Sequence, residues 1–255
     1  MLEIRNLSVH LGKSEILSGI HLTANRGKIT GIVGRSGSGK STLFRSILGI
    51  RELVKSYRFQ GEILWNGESL QSKQFQSNPP IQPVFQDPYS FFSPFQSLLE
   101  SLLEPTKIKR GIFLSPSIRK TAIENIESYL DRFQLDGSLL NKKPKELSGG
   151  QLQRFAILRA ILSGPELILL DEPVTALDAL VQIKIVSLIK ELNGKDNLGF
   201  VLVSHDLGLV KNLCDDLYIL EKGRIIEFGN AREVFTNPKE NFTRELIQAR
   251  NLSDL

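Results

Sequence analysis

Apolar and polar residues alternate from Leu2 to Leu11 and again from Glu15 to Ala24, the period of half-buried strands, with Arg26-Gly27 as a turn after the second. Ile29 to Val33 is a short apolar run that ends in glycine, the pattern of a buried strand. Gly34 to Gly39 is glycine-rich, and Lys40 to Leu48 has helical character. Gly61 to Leu70 reads as a hairpin turning on Asn66-Gly67, followed by a polar loop over residues 71–80 that ends in Pro79-Pro80. Val84-Phe85 is a short strand remnant. Residues 87–116 are rich in Phe, Ser and Pro, with a helical piece near Gln96 to Leu103. Ile118, Ala122, Ile126, Tyr129, Leu130 and Phe133 fall on one helical face within Ser117 to Phe133.

The second half repeats the strand–helix alternation. Ser148 to Leu162 predicts a helix opened by Ser148-Gly149-Gly150, Leu167 to Leu170 a very apolar strand, and Ala179 to Leu192 another helix. Gly199 to Val203 is a further buried strand that ends in Ser204-His205. Leu217 to Leu220 and Arg224 to Phe228 read as a final hairpin around Lys222-Gly223, and the tail from Ala231 as two helices broken at Pro238. Alternating strands and helices predict an α/β fold with a mostly parallel sheet. The chain reads as one domain over residues 1–255: a core with an antiparallel β part over 1–86 and 166–230, an inserted helical lobe over 87–165, and a helical tail over 231–255.

Composition narrows the class. A chain of 255 residues, 41% hydrophobic and 24% charged, can bury a sizeable core. Its 32 basic and 28 acidic residues leave a net charge of +4 with no run of five like charges, so a dedicated nucleic-acid binder is disfavoured. A single cysteine, Cys214, excludes an intrachain disulfide and a thiolate metal cluster, and its apolar neighbours predict a buried, inert thiol. No stretch approaches the ~18 apolar residues of a membrane helix, and the first residues carry no signal-peptide pattern.

The candidate chemistry starts at Gly34-Arg35-Ser36-Gly37-Ser38-Gly39-Lys40-Ser41, a full match to G-x-x-x-x-G-K-[ST] between a strand and a helix. In such a loop backbone N–H groups turn onto phosphate oxygens, the helix N-terminus adds partial positive charge, the lysine meets the terminal phosphates and the serine hydroxyl ligates Mg²⁺. Thr42 follows directly. Asp171 and Glu172 end the apolar strand Leu167 to Leu170, at the edge where ligands of parallel sheets bind. There Asp171 can hold Mg²⁺ and Glu172 can take a proton from an attacking water. At Leu147-Ser148-Gly149-Gly150-Gln151 the serine caps a helix, and the paired glycines leave N–H groups open to an anion.

Leu147-Ser148-Gly149-Gly150-Gln151, extended by Gln153-Arg154, resembles the signature of ATP-binding cassette (ABC) ATPases. Other matches follow in that family's order. Gln86 in Val84-Phe85-Gln86-Asp87-Pro88 looks like the Q-loop glutamine that senses Mg²⁺ and the terminal phosphate. Ala176-Leu177-Asp178 looks like the D-loop, and His205 in Ser204-His205-Asp206 like the switch histidine. The resemblance implies a P-loop ATPase fold with ATP and Mg²⁺ as cofactors. It implies a head-to-tail dimer with a second cassette, in which Ser148, Gly149, Gly150, Gln151 and Asp178 meet the ATP held by the other subunit's P-loop. It also implies two transmembrane permease subunits, an extracytoplasmic solute-binding protein, and a peripheral position on the cytoplasmic face of the cell membrane.

Gln86-Asp87-Pro88-Tyr89-Ser90, Val174-Thr175-Ala176-Leu177-Asp178 with Val181-Gln182, and the tail Val234-Phe235…Pro238…Phe242-Thr243-Arg244-Glu245-Leu246 resemble importers of peptides, nickel or metal chelates. The tail departs from them at Glu240-Asn241, and its early end leans towards nickel or a metallophore. A soluble ABC ATPase of translation or DNA repair is the alternative, and a kinase or GTPase a more distant one. A single cassette without a coiled-coil or zinc-hook insertion favours transport. The same resemblance implies that the Phe-rich run from Tyr89 to Phe95 receives a helix of the membrane subunit, with Phe91 and Phe92 as contacts. It also places an adenine-stacking aromatic at the position of Leu11, with His10 on the opposite strand face. Leucine there predicts weak base recognition.

Overall fold

Leu2–Leu11 (β1) pairs antiparallel with Ser14–Ala24 (β2) and with Tyr57–Trp65 (β4), and Glu68–Ser69 (β5) completes a sheet in the order β2-β1-β4-β5. The computed structural model describes residues 1–49, 57–72, 75, 79–175 and 177–253. Part of the loop expected over 71–80, Ala176 of the Ala176-Leu177-Asp178 run and the end of the tail lie outside them. Asn66 (φ 50°) and Gly67 (φ 85°) both take positive φ, as a two-residue hairpin turn requires. The β4 strand starts at Tyr57, four residues before the predicted hairpin, because Tyr57 to Gln60 pair with Leu11 to Ser8.

A second, six-stranded sheet runs β10-β9-β3-β8-β7-β6. Ile29–Val33 (β3), Ile81–Val84 (β6), Leu167–Asp171 (β7) and Gly199–Ser204 (β8) are mutually parallel, and Asp216–Glu221 (β9) and Arg224–Asn230 (β10) close one edge as an antiparallel pair. The continuous apolar runs of β3, β7 and β8 follow from burial on both faces. Alternation then divides each strand between two cores. Leu167, Leu169, Val201 and Val203 join Leu43, Phe44 and Ile47 of the helix Lys40–Leu48 (α1) and Leu2, Ile4 and Trp65 of the antiparallel sheet. Ile168, Leu170, Phe200 and Leu202 face the opposite way, towards the remaining helices. Each such side chain, fully buried, contributes ~1.5–3 kcal/mol. Together the two cores clamp the strand ends from which the candidate residues project.

Between β6 and β7 lie Leu98–Arg110 (α2), Pro116–Leu130 (α3) and Gly149–Leu162 (α4), capped by the hydroxyls of Ser97, Ser115 and Ser148. The α2 helix runs seven residues past the expected Leu103, through Pro105 to a Gly111 C-cap. Proline removes one helical hydrogen bond, and Glu100, paired with both Lys107 and Arg119, ties the turns on either side of it. Ala179–Asp196 (α5) follows β7, and Leu207–Leu213 (α6) follows β8. The α6 helix is legible only from its Asp206 cap, whose carboxylate accepts from the N–H groups of Gly208 and Leu209. Ala231–Thr236 (α7) and Asn241–Ser253 (α8) form the tail, and Cys214 is largely buried, its thiol pushed well above the usual range by burial and by Asp215 and Asp216.

Candidate nucleotide site

The loop from Gly34 to Gly39 joins the end of β3 to α1, so the N-terminus of α1 opens onto a cavity of about 550 Å³. Gly39 caps α1 at φ 106°, and a side chain there would meet Leu17 at 2.7 Å, so the turn requires glycine. The Lys40 ammonium donates to the carbonyl oxygens of Gly34 (2.6 Å) and Arg35 (3.0 Å). Burial lowers its pKa, while Glu172 and Asp171 act in the opposite direction. The hydroxyl of Ser38 is buried without a partner among the described residues. A cation on oxygen acceptors, an unsatisfied buried donor and a helix N-terminus suit a polyphosphate. The Arg35 side chain turns away, 3.3 Å from Glu245 and over the ring of Phe242 on α8.

The same cavity is lined by Ser36, Gly37, Ser41, Thr42, Gln86, Asp171, Glu172 and His205. Asp171 ends β7, and its pKa is raised by burial and by Glu172 against the pull of Arg45 and Lys40. Glu172 follows at φ 45°, a conformation that costs a non-glycine residue energy and clusters at functional sites. Its N–H donates to Val203 O at 2.9 Å, which pins the turn to β8. Its carboxylate accepts from the Thr175 hydroxyl at 3.1 Å and lies 2.7 Å from His205 Nδ1. His205 comes from the end of β8, held by the Asp206 cap of α6. The oxygens of Ser41, Gln86 and Asp171 are a hard donor set with a single carboxylate, the kind that holds Mg²⁺ jointly with phosphate.

The remaining predicted residues stand apart. Ser148 caps α4 in a reciprocal box with Gln151, Gln151 N–H to Ser148 Oγ at 3.3 Å and Ser148 N–H to Gln151 Oε1 at 3.0 Å. Asp178 caps α5 by accepting from Val181 N–H at 3.0 Å. None of Ser148, Gly149, Gly150, Gln151 or Asp178 lines the P-loop cavity. Ser148 and Asp178 are exposed and Gly149 half-buried, but Gly150 is buried, and a Cβ on it would strike Val181 of α5. Gly150 is therefore a close-packing position of its own chain.

Leu11 is 42% exposed at the end of β1 and does not line the cavity, whereas Ile16 does. Val9 pairs with Leu17 but His10 with Glu15, so Ile16 is the extra residue of an irregularity in β2, while β1 runs in unbroken register with β4 from Ser8 to Leu11. That irregularity aims Ile16 at the site, and no alternation pattern could have revealed it. His10 Nε2 lies 3.8 Å from the Glu15 carboxylate, and His10 does not line the cavity.

The aromatic run divides, and only the expectation for Phe92 is corrected. Phe92 is 5% exposed and belongs to the core, and Phe91 packs on Phe85 with ring centroids 5.1 Å apart. Tyr89 (47% exposed) and Phe95 (84%) are the rings that face outward. Beside them a groove of about 420 Å³ runs between the sheet and the helices, lined by Pro83, Phe85, Phe91, Pro105, Ile108 and Arg159 among others.

Fold and site together define a P-loop nucleotide-binding domain with a carboxylate–histidine pair at its phosphate cavity. Residues 17–175 match the family model described as ABC transporter, and the chain belongs to that family. It is 38% identical over 237 residues to the peptidoglycan transport ATP-binding protein YejF of Agrobacterium fabrum, an alignment that covers 91% of this chain and 42% of that relative's length. It is 32% identical over 263 residues to the oligopeptide transport ATP-binding protein OppF of Bacillus subtilis, covering all of this chain and 83% of the relative. Among solved structures, cbiO1 of Clostridium perfringens superposes with a TM-score of 0.78 at 28% identity, over 98% of this chain and 94% of that one. The dimeric cassette MJ0796 bound to ADP and Pi superposes with a TM-score of 0.73 at 29% identity, over 91% and 99%. The chain is thus a nucleotide-binding ABC cassette that resembles the ATP-binding subunits of peptide transporters.

Proposed function

We propose that the chain hydrolyses ATP with Mg²⁺ and thereby powers an importer of peptides. The observation that carries this reading is the Glu172 carboxylate, which lines the P-loop cavity beside Asp171 and lies 2.7 Å from His205. Lys40 and the N-terminus of α1 bind the terminal phosphates. Ser41, Gln86 and Asp171 would hold Mg²⁺, which would neutralise charge on the phosphoryl oxygens. Glu172 takes the proton of the attacking water. His205 holds that carboxylate in one orientation, and Thr175 fixes its other oxygen.

A second cassette, identical or homologous, completes the site in a head-to-tail dimer. Its exposed Ser148 corner meets the bound terminal phosphate, with Asp178 at the shared seam; the exposure of both residues supports this. Two membrane-spanning permease subunits and an extracytoplasmic solute-binding protein complete the transporter, with this chain on the cytoplasmic face. No helix among the described residues is long and apolar enough to cross a membrane. The groove by Phe85 and Ile108, with Tyr89 and Phe95 exposed nearby, receives the permease. The names of the relatives favour peptides over the nickel suggested by the tail. The direct test is Glu172→Gln, which keeps shape and removes the base: turnover falls about 10²–10⁴-fold with ATP affinity retained. Parental turnover in that variant defeats the assignment.

A further inference from the structure

Two cavities share a wall. Gln86 and Asp171 line the P-loop cavity, and both also line a second cleft of about 500 Å³ whose other side includes Gly149, Gln153 and Leu177. Asp171 therefore stands between the phosphate loop and the helix that Ser148 caps.

The polar residues that open α4 are employed very differently. Gln151 is used by the cap. Arg154 is buried and spends its guanidinium on the carbonyls of Phe133 (3.0 Å), Gln134 (2.8 Å) and Gly150 (3.2 Å). Gln153 is 1% exposed, and its Nε2 has no hydrogen-bond partner among the described residues. A buried, unpaired amide costs stability that an apolar side chain of the same length does not. Its helical neighbours Leu152, Phe155, Ala156 and Ile157 are all core residues, so packing alone asks for an apolar residue here.

We propose that Gln153 is a positioning residue whose amide N–H donates to the Gln86–Asp171 wall when the helical lobe closes on bound nucleotide. The acceptors are the side-chain oxygens of Gln86 and Asp171. The bond ties the helix that presents Ser148 to a partner's nucleotide to the metal-binding strand end of its own chain. One amide thus couples the two half-sites of a single cassette. This inference rests on the ATPase reading above.

The test measures ATP turnover, KM and melting temperature for the full chain and two variants. Gln153→Met keeps the length and removes the donor. We expect kcat to fall about tenfold, the worth of one hydrogen bond to a charged or strongly polar acceptor. KM should change less than about twofold, because Gln153 does not touch the nucleotide cavity. The melting temperature without nucleotide should stay the same or rise. Gln153→Asn keeps an amide on a shorter stem, so it should melt lower than Gln153→Met yet turn over faster. That inversion of stability and activity is what a packing role cannot produce. Parental kcat in Gln153→Met, or kcat that follows melting temperature across both variants, overturns the proposal. An unmodified chain that binds ATP without hydrolysing it overturns the ATPase reading itself.

Discussion

The P-loop cavity and the Ser148 corner are both polar regions rich in glycine and hydroxyls, yet they are built in opposite ways. In the cavity, residues from β3, α1, β7 and β8 converge, and charged groups are partly buried with shifted pKa values: Lys40 lowered, chiefly by burial, and Asp171 raised by burial and Glu172. At the corner the hydrogen bonds close on themselves: Ser148 with Gln151, Asp178 with Val181. A bound polyphosphate and cation would compensate that partly buried charge. The corner is at rest and asks for nothing from its own chain. A site divided between two molecules has this form: one half binds alone, the other contributes only after association.

The largest effect should come from setting charge against charge across that seam. Ser148→Asp keeps a good helix cap and adds a carboxylate facing a partner's phosphate. Hydrolysis and ATP-driven association should both be lost, while melting temperature and the ATP affinity of the monomer stay as in the parent. A weakened monomer affinity in nucleotide titration would mean that Ser148 serves its own cavity. Gly150→Asp would confound this test. Its side chain collides with Val181, so it should also lower stability by ~1–3 kcal/mol, read as a lower denaturation midpoint.

The aromatic run sharpens the contrast between core and surface. Phe92→Ala should cost ~3–5 kcal/mol of stability, as a large-to-small core change does. Tyr89→Ala with Phe95→Ala should leave stability within about 0.5 kcal/mol but weaken co-purification with the permease subunits. Equal losses of stability in both sets would mean that the exposed rings pack somewhere.

Much of this architecture is legible in the chain. Ile29 to Val33 followed by six residues of glycine-rich loop and Lys40 to Leu48 specifies strand, loop and helix locally, because burial on both faces and left-handed turns leave few alternatives. Asp171 and Glu172 are legible as the polar end of an apolar strand. What escapes a linear reading depends on register and on tertiary contact. Ile16 reaches the cavity through an irregularity that shows only when β1 and β2 are paired. Gly150 looks free beside Gly149 until α5 is laid against it. Phe92 looks exposed in a Ser- and Pro-rich run until the cores are assembled.

The smallest effects concern the base. Ile16→Ala trims the apolar wall of the cavity and should weaken ATP binding about fivefold, the worth of roughly 1 kcal/mol of lost burial. His10→Ala should change affinity little, since His10 does not line the cavity. The reverse order, measured by titration of both variants, would move the base from Ile16 on β2 to His10 on β1.

The divided site is tested most directly by the mass of Glu172→Gln in solution, measured by sedimentation with and without Mg·ATP. A variant that binds ATP without consuming it should hold two chains together through two completed sites. The account predicts a monomer without nucleotide, a dimer with it, and a return to monomer when Ser148→Asp is added. A chain that binds Mg·ATP at saturation and stays monomeric would contradict it.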